Sequence, residues 1–434
     1  MDQTPRRQHG RRRRLGLVAL ALVLLLGAAA FALTWRPAID AQAAPPRFDG
    51  ATVARGARLA TLGNCAACHT ADPARPFAGG LGLATPFGTV HSTNITPDAR
   101  TGIGAWSEAA FTRALREGVA RDGSLLYPAF PYDHYTRLTD ADVHALYAYF
   151  MTRAPLDAPA RENALRFPFN LRPLLAFWNM LYLEREPWRP DPRQSVEWNR
   201  GAYLADALAH CSACHSPRTR LGGEDRRRFL DGGEAEGWYA PALNDKSPSP
   251  LPWTRARLAE YLRSGIAEGH AVAGGPMQDV VRSLSRADPA EVEALATWLH
   301  SHLGKAPPRA TPATRPGSLA APPAGAAPRL RLGYEIYAGA CARCHEAGRS
   351  PSSGEALPLQ QAIALYDPDP RSLVRIVRDG IHPPDGEPAR WMPGFAGILD
   401  QDQTIALADY LRQVGAAQPA WDDLEDSVRK AEQP

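Results

Sequence analysis

The sequence predicts an all-α protein in which three similar domains follow an apolar N-terminal segment. The chain has 434 residues, which at roughly 100–200 residues per domain allows two to four domains. Its six cysteines form three C-x-x-C pairs, each followed directly by a histidine, at intervals of 146 and 130 residues. Each pair lies between two segments with helical periodicity, so the chain is a repeat at the scale of a domain.

The composition excludes several other classes of protein. A hydrophobic content of 44% with 22% charged residues is ordinary for a globular chain and rules out general disorder. The net charge of +3 gives little support to a nucleic-acid-binding function. Six cysteines in a chain of this length are too few for a disulfide scaffold.

Residues 1–36 predict an arginine-rich N-terminus and a transmembrane anchor. Six arginines lie between Arg6 and Arg14, and the 19 residues from Leu15 to Leu33 carry no charge. A helix of about 20 apolar residues spans a bilayer core, and the arginines orient its N-terminus towards the cytoplasm. The alternative is a cleaved signal peptide with a cleavage site at Ala41-Gln-Ala43, which would release a soluble protein. Both interpretations export the rest of the chain.

A glycine marks the first helix of each predicted domain, and an aromatic residue marks the last. The glycines are Gly56, Gly201 and Gly333, and the last helices are expected from Thr139 to Thr152, Asp288 to Leu303 and Asp400 to Val414. A glycine would let the last helix cross the first closely, beside the aromatic residue. We expect Thr139 and Ser285 to cap the starts of their helices.

These patterns divide the chain into segments. We expect domains at 48–155, 196–304 and 329–416, a connector at 156–195, a linker rich in proline and alanine at 305–328, and a polar tail at 417–434. A second apolar stretch, Leu165 to Leu183, is interrupted by arginines and prolines. We interpret it as a packed connector or a membrane-surface segment.

The C-x-x-C-H motif is the attachment signature of c-type haem. Two cysteines three residues apart on a helical turn can each form a thioether with a haem vinyl group, and the next histidine becomes the proximal iron ligand. The predicted attachment residues are Cys65, Cys68, Cys211, Cys214, Cys341 and Cys344, and the predicted proximal ligands are His69, His215 and His345. Zinc would need four ligands from paired motifs, and a thioredoxin-like site would need one motif in an α/β fold. We therefore predict three covalent haem c groups.

With these motifs, residues 48–415 resemble the membrane-bound trihaem cytochrome c subunits of bacterial periplasmic dehydrogenases, such as alcohol and gluconate dehydrogenases. Further motifs of the resemblance are Ser92-Thr-Asn-Ile-Thr-Pro97, Thr101-Gly-Ile-Gly104, Tyr127-Pro-Ala-Phe-Pro-Tyr132 and Trp198-Asn-Arg-Gly201. The stretch from Phe167 to Pro173 is similar to a branch whose partners are molybdenum hydroxylases that oxidise aldehydes or N-heterocycles such as nicotinate or isoquinoline. The resemblance implies three tandem class I-like cytochrome c domains in the inner membrane, with haems facing the periplasm.

The predicted function is therefore electron transfer, without catalysis by the chain itself. Electrons would come from a molybdenum hydroxylase, a quinoprotein or a flavoprotein subunit, and would pass to quinone, another cytochrome or a terminal oxidase. No dinucleotide fingerprint, P-loop or nucleophile elbow occurs in the sequence. The alternative is a peroxidase-like haem enzyme that uses an open first haem.

The distal iron ligands are predicted from the five methionines of the chain. Met277 and Met392 occupy matching places before the last helices, in predicted loops, and are expected to ligate iron. The matching residue of the first domain is Phe130, which cannot ligate iron. His134 is the first substitute; the alternatives are an open or water-ligated iron, His91 or Met151. Met151 and Met180 are expected to be packing residues, and we expect the first haem to have the lowest potential.

Overall fold

The computed structural model of the chain describes residues 17–18, 34–44, 46–267, 270–303, 319–346, 357–382 and 391–431. The segment predicted to cross the membrane and most of the predicted linker lie outside these ranges. In the ranges that are described, no helix is both long enough and apolar enough for a membrane span.

Helices dominate the described residues, and they follow the same order three times. In repeat 1 (48–155) the helices are α1 (Gly50–Leu62), α2 (Cys65–His69), α3 (Glu108–Glu117), α4 (Tyr132–Tyr135) and α5 (Asp140–Met151). The connector carries α6 (Leu175–Tyr182). In repeat 2 (196–304) they are α7 (Val196–Tyr203), α8 (Ser212–His215), α9 (Arg255–Ser264), α10 (Pro276–Ser285) and α11 (Pro289–Leu303). In repeat 3 (329–416) they are α12 (Pro328–Ile336), α13 (Ala342–His345), α14 (Arg371–Asp379) and α15 (Gln401–Tyr410), and α16 (Leu424–Ala431) follows.

Short antiparallel hairpins, which the all-α prediction did not include, connect some of the helices. Strands β1 (Gly82–Thr85) and β2 (Gly88–His91) pair in repeat 1, and β3 (Ala164–Leu165) of the connector joins β2. Repeat 2 contains the pairs β4 (Gly233–Ala235) with β5 (Trp238–Ala240) and β6 (Ile266–Ala267) with β7 (Ala271–Val272). The glycines and prolines that indicated loops support these tight turns.

The first and last helices of each repeat cross at the predicted glycine. A Cβ atom placed on Gly56 would overlap the carbonyl oxygen of Ala145 and would lie 2.7 Å from Cβ of Tyr149. The same arrangement recurs in the other two repeats. Gly201 meets the carbonyl of Ala294 beside Trp298, and Gly333 meets the carbonyl of Ala406 beside Tyr410. Only a residue without a side chain permits this approach, so the three crossings have one cause.

Repeats 1 and 2 share one continuous hydrophobic core, whereas repeat 3 has its own. The shared core joins residues such as Leu59 and Tyr147 to Leu204 and Trp298. The core of repeat 3 extends past its predicted ends, because Leu319 of the predicted linker is buried in it. Trp421, Leu424 and Val428, which fall in the predicted polar tail, are buried there too. Residues 417–431 therefore belong to the fold of repeat 3.

Helix starts are capped largely as the sequence predicts. The side chain of Thr139 accepts a hydrogen bond from the backbone N–H of Asp142 at the start of α5. The prediction for Ser285 was wrong, because Ser285 is the last residue of α10. Asp288, the carboxylate next to α11, accepts from the backbone N–H of Ala290 instead. At the start of α15 the side chain of Asp400 accepts from the backbone N–H of Gln403, and the side chain of Gln403 accepts from the backbone N–H of Asp400.

The substitution Gly56→Ala tests the helix crossing. The added methyl group would force α1 and α5 apart, so we expect the free energy of unfolding to fall by at least about 2 kcal/mol. The matched control is Gly50→Ala on the same helix, where a Cβ meets no atom within 4 Å. The control should change stability by less than about 1 kcal/mol. Denaturant unfolding followed by circular dichroism measures both, and equal effects would contradict the close crossing.

Candidate haem-binding sites

Each C-x-x-C-H motif forms one short helical turn after the first helix of its repeat. In repeats 2 and 3 a π-helical turn prolongs that first helix, over Leu204–Leu208 and Tyr337–Cys341. The motif of repeat 1 is α2 itself, and in repeats 2 and 3 the first cysteine directly precedes α8 and α13. None of the six cysteines forms a disulfide. Residues three apart on a helix lie on one face, so both sulfur atoms of a pair face the same side. This is the geometry that two thioether bonds to one haem require.

A left-handed residue precedes the turn in the first two repeats. Asn64 has a φ of 51° and His210 a φ of 43°, and each directly precedes the first cysteine. This conformation turns the chain sharply between the long helix and the attachment turn. The side chain of Asn64 is also held from repeat 2, because Ser283 Oγ donates to Asn64 Oδ1 at 2.6 Å.

The three predicted proximal histidines are all oriented in the same way. The Nδ1 atom of His69 lies 2.7 Å from the carbonyl oxygen of Thr93, and that of His215 lies 2.7 Å from the carbonyl oxygen of Pro241. In repeat 3, Nδ1 of His345 lies 3.0 Å from the carbonyl oxygen of Leu357. A carbonyl can only accept, so Nδ1 carries the proton and Nε2 keeps its lone pair. Within the described ranges, Nε2 of these histidines makes no hydrogen bond.

These residues fit a covalent haem c. A histidine that ligates a metal through Nε2 commonly donates its other ring N–H to a backbone carbonyl, which fixes the ring orientation. Each motif therefore offers two thiols for attachment and one oriented imidazole for iron. The alternative of a zinc site finds no support, because no cluster of potential metal ligands among the described residues contains a cysteine.

The environment of the thiols disfavours a redox-active thiolate. Burial, with a smaller contribution from Cys68, raises the pKa of Cys65 to about 12. Burial likewise raises the pKa of Cys211 to about 12 and that of Cys341 to about 11. Reactive or metal-binding cysteines usually have a lowered pKa, so these thiols do not resemble a thioredoxin-like site.

The predicted distal positions have equivalent places in the three repeats. Gly118, Gly265 and Gly380 each directly follow the middle helix, α3, α9 and α14, with φ values of 64°, 72° and 76°. Phe130, Met277 and Met392 each lie twelve residues after these glycines. The three residues thus share one register in the repeat, as the sequence predicted for Phe130.

The local structure at the two methionines differs. Met277 lies in the first turn of α10, so the prediction of a loop at this position was wrong; Pro276 starts the helix there. Met392 pairs its backbone with Ile381 in an isolated bridge. Both side chains are half-buried, and their role as iron ligands stays a prediction.

Phe130 lies in an aromatic cluster before α4. Its ring centroid is 5.4 Å from that of Tyr135 and 6.4 Å from that of Tyr132.

Met151 is buried in the shared core, as expected for a packing residue. Met180 is 66% exposed, so the prediction that it packs was wrong. Its helix, α6, buries a different face.

Both ring nitrogens of His134 bind protein groups of repeat 2. Nδ1 lies 2.7 Å from the carbonyl oxygen of Asp206, and Nε2 lies 2.7 Å from Oε1 of Glu224. The side chain is only 6% exposed. An iron bond would require one of these hydrogen bonds to break. The distal role of His134 stays a prediction, and this geometry does not favour it.

The contacts of His134 make it a charged link between repeats 1 and 2. Burial alone would lower the pKa of His134, but the hydrogen bond and the charge of Glu224 raise it to about 9. The same interaction lowers the pKa of Glu224, against the effect of its burial. Asp133, whose pKa burial raises, lies beside them. Arg137 forms an ion pair with Asp206 at the edge of the same contact.

His91, the other histidine considered for the first iron, lies in β2 and is half-buried. Its backbone N–H donates to Oδ1 of Asn163 at 2.9 Å. Its Nδ1 atom is buried and has no hydrogen-bond partner in the described part of the chain. His91 therefore has a ring nitrogen available, whereas His134 does not.

The sequence analysis missed the groups that orient these side chains. The acceptors for His69 and His215 are backbone carbonyls of Thr93 and Pro241, and a carbonyl leaves no sequence signal. Thr93 does fall in the Ser92–Pro97 motif, which was the available hint. Glu224 is 90 residues from His134, and nothing in the local sequence pairs them.

Two family models of cytochromes match parts of the chain. Residues 53–154 match the family model described as "Cytochrome c", and residues 328–411 match "Cytochrome C oxidase, cbb3-type, subunit III". A nicotinate dehydrogenase subunit of Pseudomonas putida is 45% identical over 405 residues, which cover 92% of this chain and 33% of that protein. The chain thus spans one third of the length of that relative.

Two further relatives match along most of their own length. A diheme cytochrome c-type protein of Cereibacter sphaeroides is 39% identical over 297 residues, covering 66% of this chain and 97% of that protein. The gluconate 2-dehydrogenase cytochrome c subunit of Pantoea cypripedii is 36% identical over 408 residues, covering 90% of each chain.

The substitution His134→Gln separates an interface role from an iron-ligand role. The raised pKa means that protonated His134 stabilises the fold fully below about pH 6.5, and that this contribution is lost as pH rises through about 9. We therefore expect the stability difference between the wild type and His134→Gln to be larger at about pH 6 than at about pH 10.

The control is His144→Gln, which alters a half-exposed pair with Glu108 and should show a much smaller loss at every pH. Thermal unfolding measures stability, and the absorption spectrum of the haem-loaded variants reports ligation. A stability difference independent of pH, together with loss of a low-spin haem signal in His134→Gln, would instead identify His134 as an iron ligand.

Proposed function

Because the chain belongs to the family of cytochrome c subunits of dehydrogenase complexes, we propose that it carries three covalent haem c groups and transfers electrons. The electrons would come from a dehydrogenase catalytic subunit and pass to a respiratory acceptor. The proximal histidine geometry carries this proposal, because the same Nδ1-to-carbonyl contact occurs after all three C-x-x-C-H motifs.

The number of three haems is supported by the repetition of the whole site. Each repeat has two thiols, one oriented imidazole and one glycine-mediated helix crossing. A relative named as a diheme protein matches 66% of this chain, which is the length expected for two of the three repeats.

A bound haem c would supply an iron that accepts and releases one electron reversibly. The chain holds the attachment turns in fixed positions relative to one another. Buried Asp142 of repeat 1 accepts from Arg55 Nε of the same repeat at 2.9 Å and from the hydroxyl group of Tyr203 of repeat 2 at 2.5 Å. A fixed arrangement keeps the distances between the haem-binding sites constant, so the repeats need not move during electron transfer.

Repeat 3 is fixed to repeat 2 through the β4–β5 hairpin and α14. Ser372 Oγ donates to the carbonyl oxygen of Tyr239 at 2.8 Å, and Arg375 Nε donates to that of Gly237 at 2.9 Å. The guanidinium group of Arg375 also lies 5.9 Å from the ring of Trp238. The third site is thus attached to the other two through directional contacts.

We infer a molybdenum hydroxylase as the electron donor, one that oxidises an N-heterocycle of the nicotinate type or an aldehyde. The similarity to the nicotinate dehydrogenase relative supports this branch, together with the stretch from Phe167 to Pro173. The gluconate dehydrogenase relative keeps flavoprotein or quinoprotein donors as the alternative. Quinone, another cytochrome or a terminal oxidase would accept the electrons.

The proposed location is the inner membrane, with the N-terminus in the cytoplasm and the haem-binding repeats in the periplasm. The arginines before Leu15 and the uncharged stretch to Leu33 support it. A peroxidase-like activity at the first site is not favoured, because the relatives are named as cytochromes or as subunits of dehydrogenases.

Reconstitution tests the electron-transfer function. The full chain would be co-expressed with a nicotinate-oxidising molybdenum hydroxylase, and nicotinate would be added without oxygen. We expect reduction of all haems, followed by reoxidation when a short-chain quinone is added. Haems that stay oxidised with this donor, and also with gluconate and a gluconate dehydrogenase, would contradict the proposal.

The haem number is tested by removing one attachment pair. The wild type should contain three haems per chain in a pyridine haemochrome assay, and the Cys211→Ala, Cys214→Ala double variant should contain two, because thioether formation needs both sulfurs. Ser212→Ala is the matched control, since Ser212 lies between the two cysteines and cannot form a thioether. A wild-type content of two haems would contradict the proposal.

The distal position of repeat 1 is tested by Phe130→Met. A thioether at the position equivalent to Met277 and Met392 should ligate the iron of repeat 1. Met/His ligation raises the reduction potential of a haem. The lowest of the three potentials should therefore rise by part of the ~0.8 V range that axial ligands span. A redox titration measures the shift, and the Met–iron absorption should grow by half. Met277→Phe is the control and should lower a different potential; three equal potentials in the wild type would contradict the assignment.

A further inference from the structure

The connector presents an exposed apolar face along α6 and the segment that directly precedes it. Sixteen large hydrophobic residues are exposed in the described part of the chain, and seven of them lie within fifteen residues. They are Phe167, Phe169, Leu171, Leu174, Phe177, Met180 and Leu181. We call these seven residues the α6 face. No charged residue occurs from Pro173 to Leu183, so polar groups do not cover this face from within the helix.

The opposite side of α6 is fixed to both repeat 1 and repeat 2. Leu175 and Ala176 pack with Val119 and Leu125 in a small core of their own. Trp178 is buried and its Nε1–H donates to the carbonyl oxygen of Leu221 at 3.1 Å. Because α6 is held this firmly, the α6 face is a defined surface and not a frayed loop. Exposed apolar patches of this kind mark binding surfaces.

The α6 face lies beside the point where the predicted membrane anchor ends. Arg36, three residues after the uncharged stretch 15–33, lines one cleft together with Asn179 and Met180. Hydrogen bonds hold the residues after Arg36 against repeat 1. The carbonyl oxygen of Pro37 accepts from Arg113 at 2.7 Å, and the backbone N–H of Ile39 donates to the carbonyl oxygen of Arg121 at 2.8 Å. The anchor therefore reaches the folded part next to α6.

Basic residues border the α6 face at its N-terminal end. Arg166 and Arg172 are exposed there, whereas Arg185, just beyond the C-terminal end, is flanked by Glu184 and Glu186 and pairs with Glu117 at 3.5 Å. Arg172 keeps its place by donating to the carbonyl oxygen of Leu125 at 2.8 Å. Apolar side chains bordered by arginines are the composition of a segment that lies in the interface of an anionic bilayer. Trp35, which is 56% exposed, is a residue type enriched at the same depth.

We propose that the α6 face docks on the membrane, with its apolar side chains in the headgroup region and its arginines on anionic lipid phosphates. This rests on the proposed membrane anchor, which brings the bilayer to Arg36. One anchor alone would let the three repeats swing freely. A second contact through α6 fixes their orientation to the bilayer, with repeat 1 on the membrane side. A catalytic subunit covering the same face is the competing outcome of the test.

The experiment uses the full haem-loaded chain in vesicles of phosphatidylethanolamine and phosphatidylglycerol. A diazirine on a lipid acyl chain labels protein groups that enter the bilayer, and mass spectrometry maps the labelled peptides. We expect label in 15–33 and in 167–181. The double variant Phe177→Asp, Leu181→Asp should lose the label in 167–181 and keep it in 15–33. The control Val196→Asp, Ile398→Asp changes two exposed apolar residues elsewhere and should keep both labels.

The outcomes distinguish this inference from the membrane anchor. Label in 15–33 without label in 167–181 overturns the docking of α6 and leaves the anchor in place. No label in either segment overturns both. Label in 167–181 that survives Phe177→Asp, Leu181→Asp overturns the assigned contact. Protection of 167–181 from an aqueous footprinting reagent by a bound catalytic partner, but not by vesicles, overturns the proposal in favour of a protein interface. An unchanged haem spectrum shows that the variants are folded.

Discussion

The close crossing of the first and last helices is the constraint on which each repeat depends. The glycine at each crossing lets a backbone carbonyl of the last helix occupy the space of a side chain. The attachment turn follows the first helix, so the crossing fixes where the two cysteines and the histidine lie. The carbonyl that accepts from Nδ1 then orients the imidazole. Three sites with one geometry follow from one packing rule applied three times.

Repeats 1 and 2 behave physically as one unit, to which repeat 3 is added. The first two bury their apolar side chains in a common core, so separating them would expose hydrophobic surface as well as break polar links. Those polar links are buried and charged, and leaving Glu224 or Asp142 without its partner would be costly. Repeat 3 contacts repeat 2 through a hairpin and one helix, around Trp238. The boundary between repeats 2 and 3 is therefore the weaker one.

The sequence predicted what depends on local spacing but did not indicate which distant groups meet. The attachment motifs, the crossing glycines and the register of Phe130 follow from residues close together in the chain, because helical geometry fixes their relations. His134 was assigned to iron because a histidine near the distal position is a reasonable ligand. Its partners, Asp206 and Glu224, come from another repeat and could not be identified without the fold. The C-terminal helix was missed because its few buried residues are diluted by charged neighbours.

Side-chain contacts connect α6 to the loop that carries the distal position of repeat 1. The hydroxyl group of Tyr132 donates to Asn179 of α6 at 2.7 Å, and its ring lies 5.8 Å from that of Trp178. Tyr132 follows Phe130 by two residues, so the loop that carries the distal position of repeat 1 is held by the helix proposed to lie on the bilayer. Under both proposals, the distal loop of repeat 1 is therefore held by the part of the fold that faces the bilayer.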